Sequence, residues 1–278
     1  MMPAHRDPRT LHEVRQELRR IFAGAGQPPE NETEVLLCAG LHSAFLVTFE
    51  NSEDTAFSPG DTKFGGWPDA LPEWVWPTDL QGTPLRFLCQ LSLPDVDPAG
   101  TSDWLPDQGL LSVFWNFSSS AAHLTYVRDE DLSRLQRRSP ADPQNEQVST
   151  YLPRRMHLRQ CYRLVSEYTE LTLTDFSVLH ALYPACKLAV EGTDPPAEGS
   201  DLTLFGVSEF PFGFPGSSGR PVHDPQLPVV SLWCVNFMDD DIADDVDGNH
   251  NYNCDILVSK QRVKQGDFSS AWLDIDAQ

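Results

Sequence analysis

Leu85-Arg-Phe-Leu-Cys-Gln-Leu-Ser92 and Gly109-Leu-Leu-Ser-Val-Phe-Trp-Asn116 are short apolar runs set off by Pro84 and Gly109. Their mix of aromatic, aliphatic and β-branched side chains fits a pleated, largely buried surface, so both read as strands. The same texture recurs at Ser43–Glu50, Ala122–Val127, residues 161–173 and 202–207, Val229–Phe237 and Cys254–Lys260. Short strands dominate and helices are few, which predicts an α+β fold with mainly antiparallel sheets. A helix is expected over residues 9–24, where Leu11, Val14, Leu18, Ile21 and Phe22 fall at helical spacing. Thr10 is its N-cap, with Glu13 three residues on, and Gly24 and Gly26 end it. Val35–Leu41 reads as helix or strand, Phe176–Ala189 as a short helix broken near Pro184, and Phe268 and Trp272 mark a terminal segment.

The two runs also have echoes later in the chain. Thr62-Lys-Phe-Gly-Gly66 precedes Thr203-Leu-Phe-Gly-Val207, and each introduces an aromatic, proline-rich loop. Leu85–Leu91 answers Val230–Asn236, Gly109–Asn116 answers the stretch near Asn253–Lys260, and the offset stays within 141 to 146 residues. An internal duplication is therefore expected. On this basis residues 1–40 form a helical segment packed on the body, 41–133 a first repeat, 134–150 an exposed connector and 151–278 a second repeat. Together they make one pseudo-duplicated domain.

The 278 residues carry 20 Lys and Arg against 41 Asp and Glu, a formal charge of −21. Such a field repels phosphate backbones and anionic lipid heads, so nucleic acid and membrane surfaces are not expected partners. The first residues are charged rather than apolar, and no run of apolar residues is long enough to span a bilayer. The six cysteines form no C-x-x-C pair and mostly sit in apolar stretches, which fits buried free thiols in a reducing cytosol.

The run Phe64-Gly-Gly-Trp-Pro-Asp-Ala-Leu-Pro72, then Trp76-Pro77, Gly82-Thr-Pro-Leu-Arg-Phe-Leu-Cys-Gln-Leu91 and Leu105-Pro-Asp-Gln-Gly-Leu-Leu111, resembles the pattern of the YwqG family. The ending Gly266-Asp-Phe-Ser-Ser-Ala-Trp-Leu273 fits that family's closing segment. The resemblance implies an internally duplicated α+β fold in bacterial cytosolic proteins without an established activity, some of which look like immunity proteins. Two departures stand out. Trp67 interrupts the first loop, and Asp244–Asn253 replaces the family's Trp-Gly-Asp-x-Gly turn, so whatever that turn does elsewhere does not carry over.

Three places can bear function. The loop with Trp67, Trp74 and Trp76 is either a rigid platform presenting indoles to a partner or an inward-folded cap on the sheet. Gln90 and Asn236, read as matching positions of the two repeats, either line a cleft between them or satisfy loop backbone inside the fold. Asp239, Asp240 and Asp241 open an acidic stretch that reads first as a solvated loop, and functionally as an anionic patch steering a basic partner. Its later Asp and Asn residues alternate as calcium ligands do, but the glycine falls at the wrong place for an EF-type loop. The histidines and cysteines lack metal-ligand spacing, and neither a nucleophile elbow nor a phosphate-binding glycine motif occurs. No metal or cofactor is implied. The expectation is a non-catalytic cytoplasmic binding protein, immunity-like and directed at a basic protein. The alternative is an enzyme or small-ligand binder with its site between the repeats.

Overall fold

The computed structural model describes residues 10–26, 41–96, 105–116, 118–138, 150–164, 185–186, 203–204, 229–236, 252–269 and 271–277. Helix α1 (Leu11–Gly24) starts at the expected cap. Thr10 Oγ1 accepts from the Glu13 amide at 3.3 Å, and the Glu13 carboxylate accepts from the Thr10 amide at 2.7 Å. This reciprocal box satisfies two amides that the helix cannot. Val14, Leu18 and Phe22, four residues apart, form the buried face, and the chain leaves through Gly26 at φ +68°.

Among the described residues the strands are β1 (Leu41–Asn51), β2 (Lys63–Phe64), β3 (Asp69–Ala70), β4 (Arg86–Ser92), β5 (Leu110–Asn116), β6 (Ala121–Val127), β7 (Gln136–Arg137) and β8 (Arg154–Leu164). They continue with β9 (Thr203–Leu204), β10 (Val229–Asn236), β11 (Tyr252–Ser259) and β12 (Trp272–Ala277). Among the described residues, α2 (Leu93–Val96) and α3 (Lys260–Lys264) are further helices of a single turn, and residues 185 and 186, within the stretch expected to hold a short helix, are helical. The protein is thus mainly antiparallel β-sheet with few short helices. Among the described residues, ten strands make one sheet in the order β12-β11-β10-β9-β1-β8-β2-β4-β5-β6, and β3 pairs with β7 in a small ribbon.

The sheet coils until its end strands β6 and β12 lie against each other, with the rings of Tyr126 and Phe268 5.2 Å apart. The main core fills the inside of this coil. Phe45 and Val47 of β1 meet Leu88, Leu91, Val113, Trp115, Met156, Ile256 and Val258 there. On β4 and β5 the outer face is covered as well, by Leu85 and Trp76 over Phe87 and Phe114 and by Leu135 over Leu110 and Val127. Burial on both faces is why these strands read as continuous apolar runs rather than alternating ones. A bulge between Phe87 and Cys89 turns both Leu88 and Cys89 toward the inner core.

The order of the sheet is the same from either end. The eleven-residue strands β1 and β8 pair at its centre, each flanked by a two-residue strand and then by three longer ones. β2 sets Lys63 opposite Gln90 and Phe64 opposite Cys89, while β9 sets Thr203 opposite Cys234 and Leu204 opposite Trp233. β10 is bulged between Ser231 and Trp233, the place in its ladder that Phe87 and Cys89 hold in that of β4.

Two segments differ from expectation. β8 begins at Arg154, well before residue 161, because Arg154 to Gln160 alternates charged and apolar residues instead of running apolar. Met156 is buried and His157 exposed, which is a half-covered strand. The stretch expected to be an exposed connector from Arg134 carries strand structure at its start: Gln136 and Arg137 form β7, pairing with Ala70 and Asp69. A two-residue ribbon has no periodic signature. The expected features at residues 35–40, 139–149, 165–173, 176–184, 187–189 and 205–207 lie outside the described residues.

Candidate functional site

Around the loop from Phe64 to Leu85 the structure gathers a buried knot of charge. It starts with Lys63, whose position on β2 between two sheet strands leaves its side chain fully buried. Lys63 Nζ donates to Asp54 Oδ1 at 2.7 Å and to the Trp67 carbonyl at 2.5 Å. The other Asp54 oxygen accepts from the Trp67 amide at 3.2 Å. One carboxylate on the 3-10 turn Asp54–Ala56 therefore ties the loop to the strand from both sides.

The glycines between them are required. Gly65 and Gly66 adopt φ +61° and +66°, and their amides donate to the carbonyls of Leu88 and Tyr151 at 2.8 and 2.9 Å. A Cβ on Gly65 would run into the carbonyls of Leu152 and Tyr151, and one on Gly66 into the Asp54 carboxylate.

Beyond the glycines, Asp69 on β3 is the second centre. Its carboxylate accepts from Arg137 Nε at 2.8 Å, Gln90 Nε2 at 2.6 Å and the Gly60 amide at 2.9 Å. Arg137 also donates to the carbonyls of Asp54 and Phe57. Two cations and two carboxylates balance, which is what burial of charge demands. Burial alone would raise the Asp69 carboxyl, but the bonds from Arg137, Gln90 and Gly60 outweigh it and hold the group below the usual carboxylate range. Burial pushes the Lys63 amine below its ordinary value, against the Asp54 hydrogen bond and the Asp69 charge that favour the ammonium.

The expected site residues fall as follows. Trp76 is buried and donates from Nε1 to the Leu85 carbonyl at 2.7 Å. Its ring lies 5.4 Å from Trp74, 6.1 Å from Trp67 and 5.7 Å from Phe114. Trp74 packs on Phe114 at 5.5 Å. The three indoles thus gather over the outer face of β4 and β5, with Trp67 and Trp74 half-buried at the edge.

Gln90 is fully buried. Its oxygen accepts from the Asp69 amide at 3.0 Å, and its nitrogen donates to the Asp61 carbonyl and the Asp69 carboxylate. Asn236 ends β10 opposite Asn253. Counted from the bulges and the short strands, the ladder position of Gln90 is that of Cys234, and Asn236 stands where Ser92 does. Asp239, Asp240 and Asp241 lie outside the described residues.

Sequence reasoning did not single out Lys63, Asp54 or Arg137. Nothing local marks them, since a lysine at a strand entry such as Thr62-Lys-Phe-Gly-Gly66 ordinarily faces water. Elsewhere, Cys89 and Cys186 are buried free thiols, and burial pushes that of Cys186 up to about 11.

Residues 62–180 match the family model described as Domain of unknown function (DUF1963). The match opens next to Lys63 and takes in the tryptophan loop, Asp69, Gln90 and Arg137. No curated protein matches the chain.

Proposed function

We propose that the chain is a non-catalytic binding protein of the bacterial cytosol, of the YwqG type and immunity-like in role, which neutralises a basic protein by covering it. The observation that carries this is the condition of the loop from Phe64 to Leu85. Its Asp69 is tied to Gln90 and Arg137 within the fold, its Trp67 carbonyl and amide are held by Lys63 and Asp54, and its indoles pack down on the sheet. What it turns outward is a preordered surface, and preordering lowers the entropy lost on association. The formal charge of −21 then selects for a cationic partner and speeds encounter with it. A ligand cleft at Gln90 gains no comparable support, because the amide is engaged on both its atoms. Internal duplication, residues 41–133 against 151–278, belongs to the same proposal and is favoured by the mirrored strand order and the matching bulges.

The test begins with a tagged chain recovered from its own host at low salt, the bound protein identified by mass spectrometry and then purified for binding kinetics. One basic protein at equal stoichiometry is expected, with affinity falling steeply as salt rises. Changing Asp239, Asp240 and Asp241 to Lys should slow association about tenfold while dissociation changes less. A chain that comes out alone at low salt, or association indifferent to salt, overturns the proposal.

A further inference from the structure

Large apolar side chains stand in solvent at three described positions: Val75 at 72%, Leu80 at 102% and Leu152 at 64% exposure. All three belong to the tryptophan loop or to the segment on which its glycines close. Val75 lies between Trp74 and Trp76, whose rings are fixed against Phe114. Leu80 sits on a turn whose every neighbour is tied. Asp79 Oδ1 accepts from the amides of Gln81 and Thr83 at 2.9 Å each, the Asp79 amide donates to the Thr83 carbonyl at 2.9 Å, and Gly82 donates back to the Asp79 carbonyl at 3.0 Å. Asn116 of β5 holds the other Asp79 oxygen at 3.3 Å. The most exposed leucine is therefore presented by one of the better-braced turns, where a swinging loop tip would have offered no fixed anchor.

The chemistry around these residues narrows the occupant. Residues 50–85 contain seven carboxylates, of which Asp54 and Asp69 are balanced by Lys63 and Arg137 in the knot and Glu73 is paired with Arg134, so the charge that selects the occupant is that of the whole chain. A second copy would bring the same formal charge of −21 against itself. We infer that Val75 and Leu80 are the apolar anchors of a docking surface for a basic protein, seated in an apolar depression that Lys and Arg side chains rim. This deepens, and rests on, the interaction role proposed above. Apolar anchors set in a charged rim are the usual anatomy of an interface hot spot, with charge setting the encounter and the anchors setting the residence time.

The test separates anchors from charge by changing only the anchors. Val75→Ser with Leu80→Ser leaves the net charge untouched, and both positions are exposed, so thermal unfolding should match the parent protein. The probe is a fluorescently labelled Lys/Leu amphipathic helix of about four turns, titrated by anisotropy near physiological salt, with an all-Lys peptide of equal charge as the comparison. The Lys/Leu helix should lose about tenfold or more in affinity on the double variant, through faster dissociation, while the weaker all-Lys binding stays the same. Equal affinity for parent and variant overturns the anchors. So does sedimentation showing a Leu80-dependent dimer, which would make the occupant a second copy. If a basic host protein binds parent and variant alike, this surface is wrong and the interaction role stands. If neither probe nor host protein binds, the interaction role itself has failed.

Discussion

A buried ammonium such as that of Lys63 survives only while carboxylates and carbonyls replace its water shell. Asp54 and the Trp67 carbonyl do so directly, and Asp69 adds its charge nearby. Lys63→Met keeps the bulk and removes the cation, leaving two carboxylates to share Arg137. Urea unfolding should register a loss of about 3–5 kcal/mol, the usual cost of orphaning a buried charge. A loss well under 1 kcal/mol would mean that the knot relaxes freely into water. Asp69 makes a second prediction, in pH. Its folded pKa lies below the unfolded value of 3.8, so its contribution is complete above that value. It is lost as pH falls below 3.8 toward the folded pKa, where the neutral acid gives up the charge-assisted bonds to Arg137. Asp69→Asn should be less stable throughout, yet its stability should fall less steeply on the acid side. Identical acid slopes in the two proteins would remove Asp69 from the account. The sequence showed Lys63 and Asp69 as residues but not as a pair with Arg137, which lies 68 positions after Asp69 and joins it through a ribbon of two residues.

At the level of elements, the tryptophan loop is built on β4 and β5 and completes them. Phe87 and Phe114 point away from the coil's interior, and without the indoles they would face water. Trp76→Phe keeps the ring packing but removes the donor to the Leu85 carbonyl, the last residue before β4. A buried acceptor left alone costs about 1–3 kcal/mol, which denaturant titration would read directly. Stability equal to the parent protein would show that water or a shifted amide replaces the indole. The strands themselves were readable because local composition reports local burial: β4 and β5 are dense in apolar residues and buried along their length. β8 was caught only at its end, since its first half carries Arg154, Arg155, His157 and Arg159 between apolar residues. α1 was legible down to its cap, because a capping box spans three residues and needs nothing distant.

For the whole molecule, the amino-acid sequence by itself determined an antiparallel, strand-rich chain, its capped helix, the strong negative charge and the presence of an aromatic, proline-rich loop. Each of these follows from neighbours a few residues apart or from composition. Only the tertiary structure decided that the sheet coils onto its own edge, that β1 and β8 pair along their full length at its centre, and that the loop is nailed down by Lys63, Asp54, Asp69 and Arg137. It also decided which face of the loop is available, turning three tryptophans toward the sheet while leaving Val75 and Leu80 in solvent. The physical reason is range. Propensity, capping and periodicity act over one or two turns of chain, whereas a buried charge is stable only where distant residues supply its counter-charge and hydrogen bonds. Side-chain direction in an irregular loop has no period to betray it, so it is fixed by what the sheet beneath leaves uncovered.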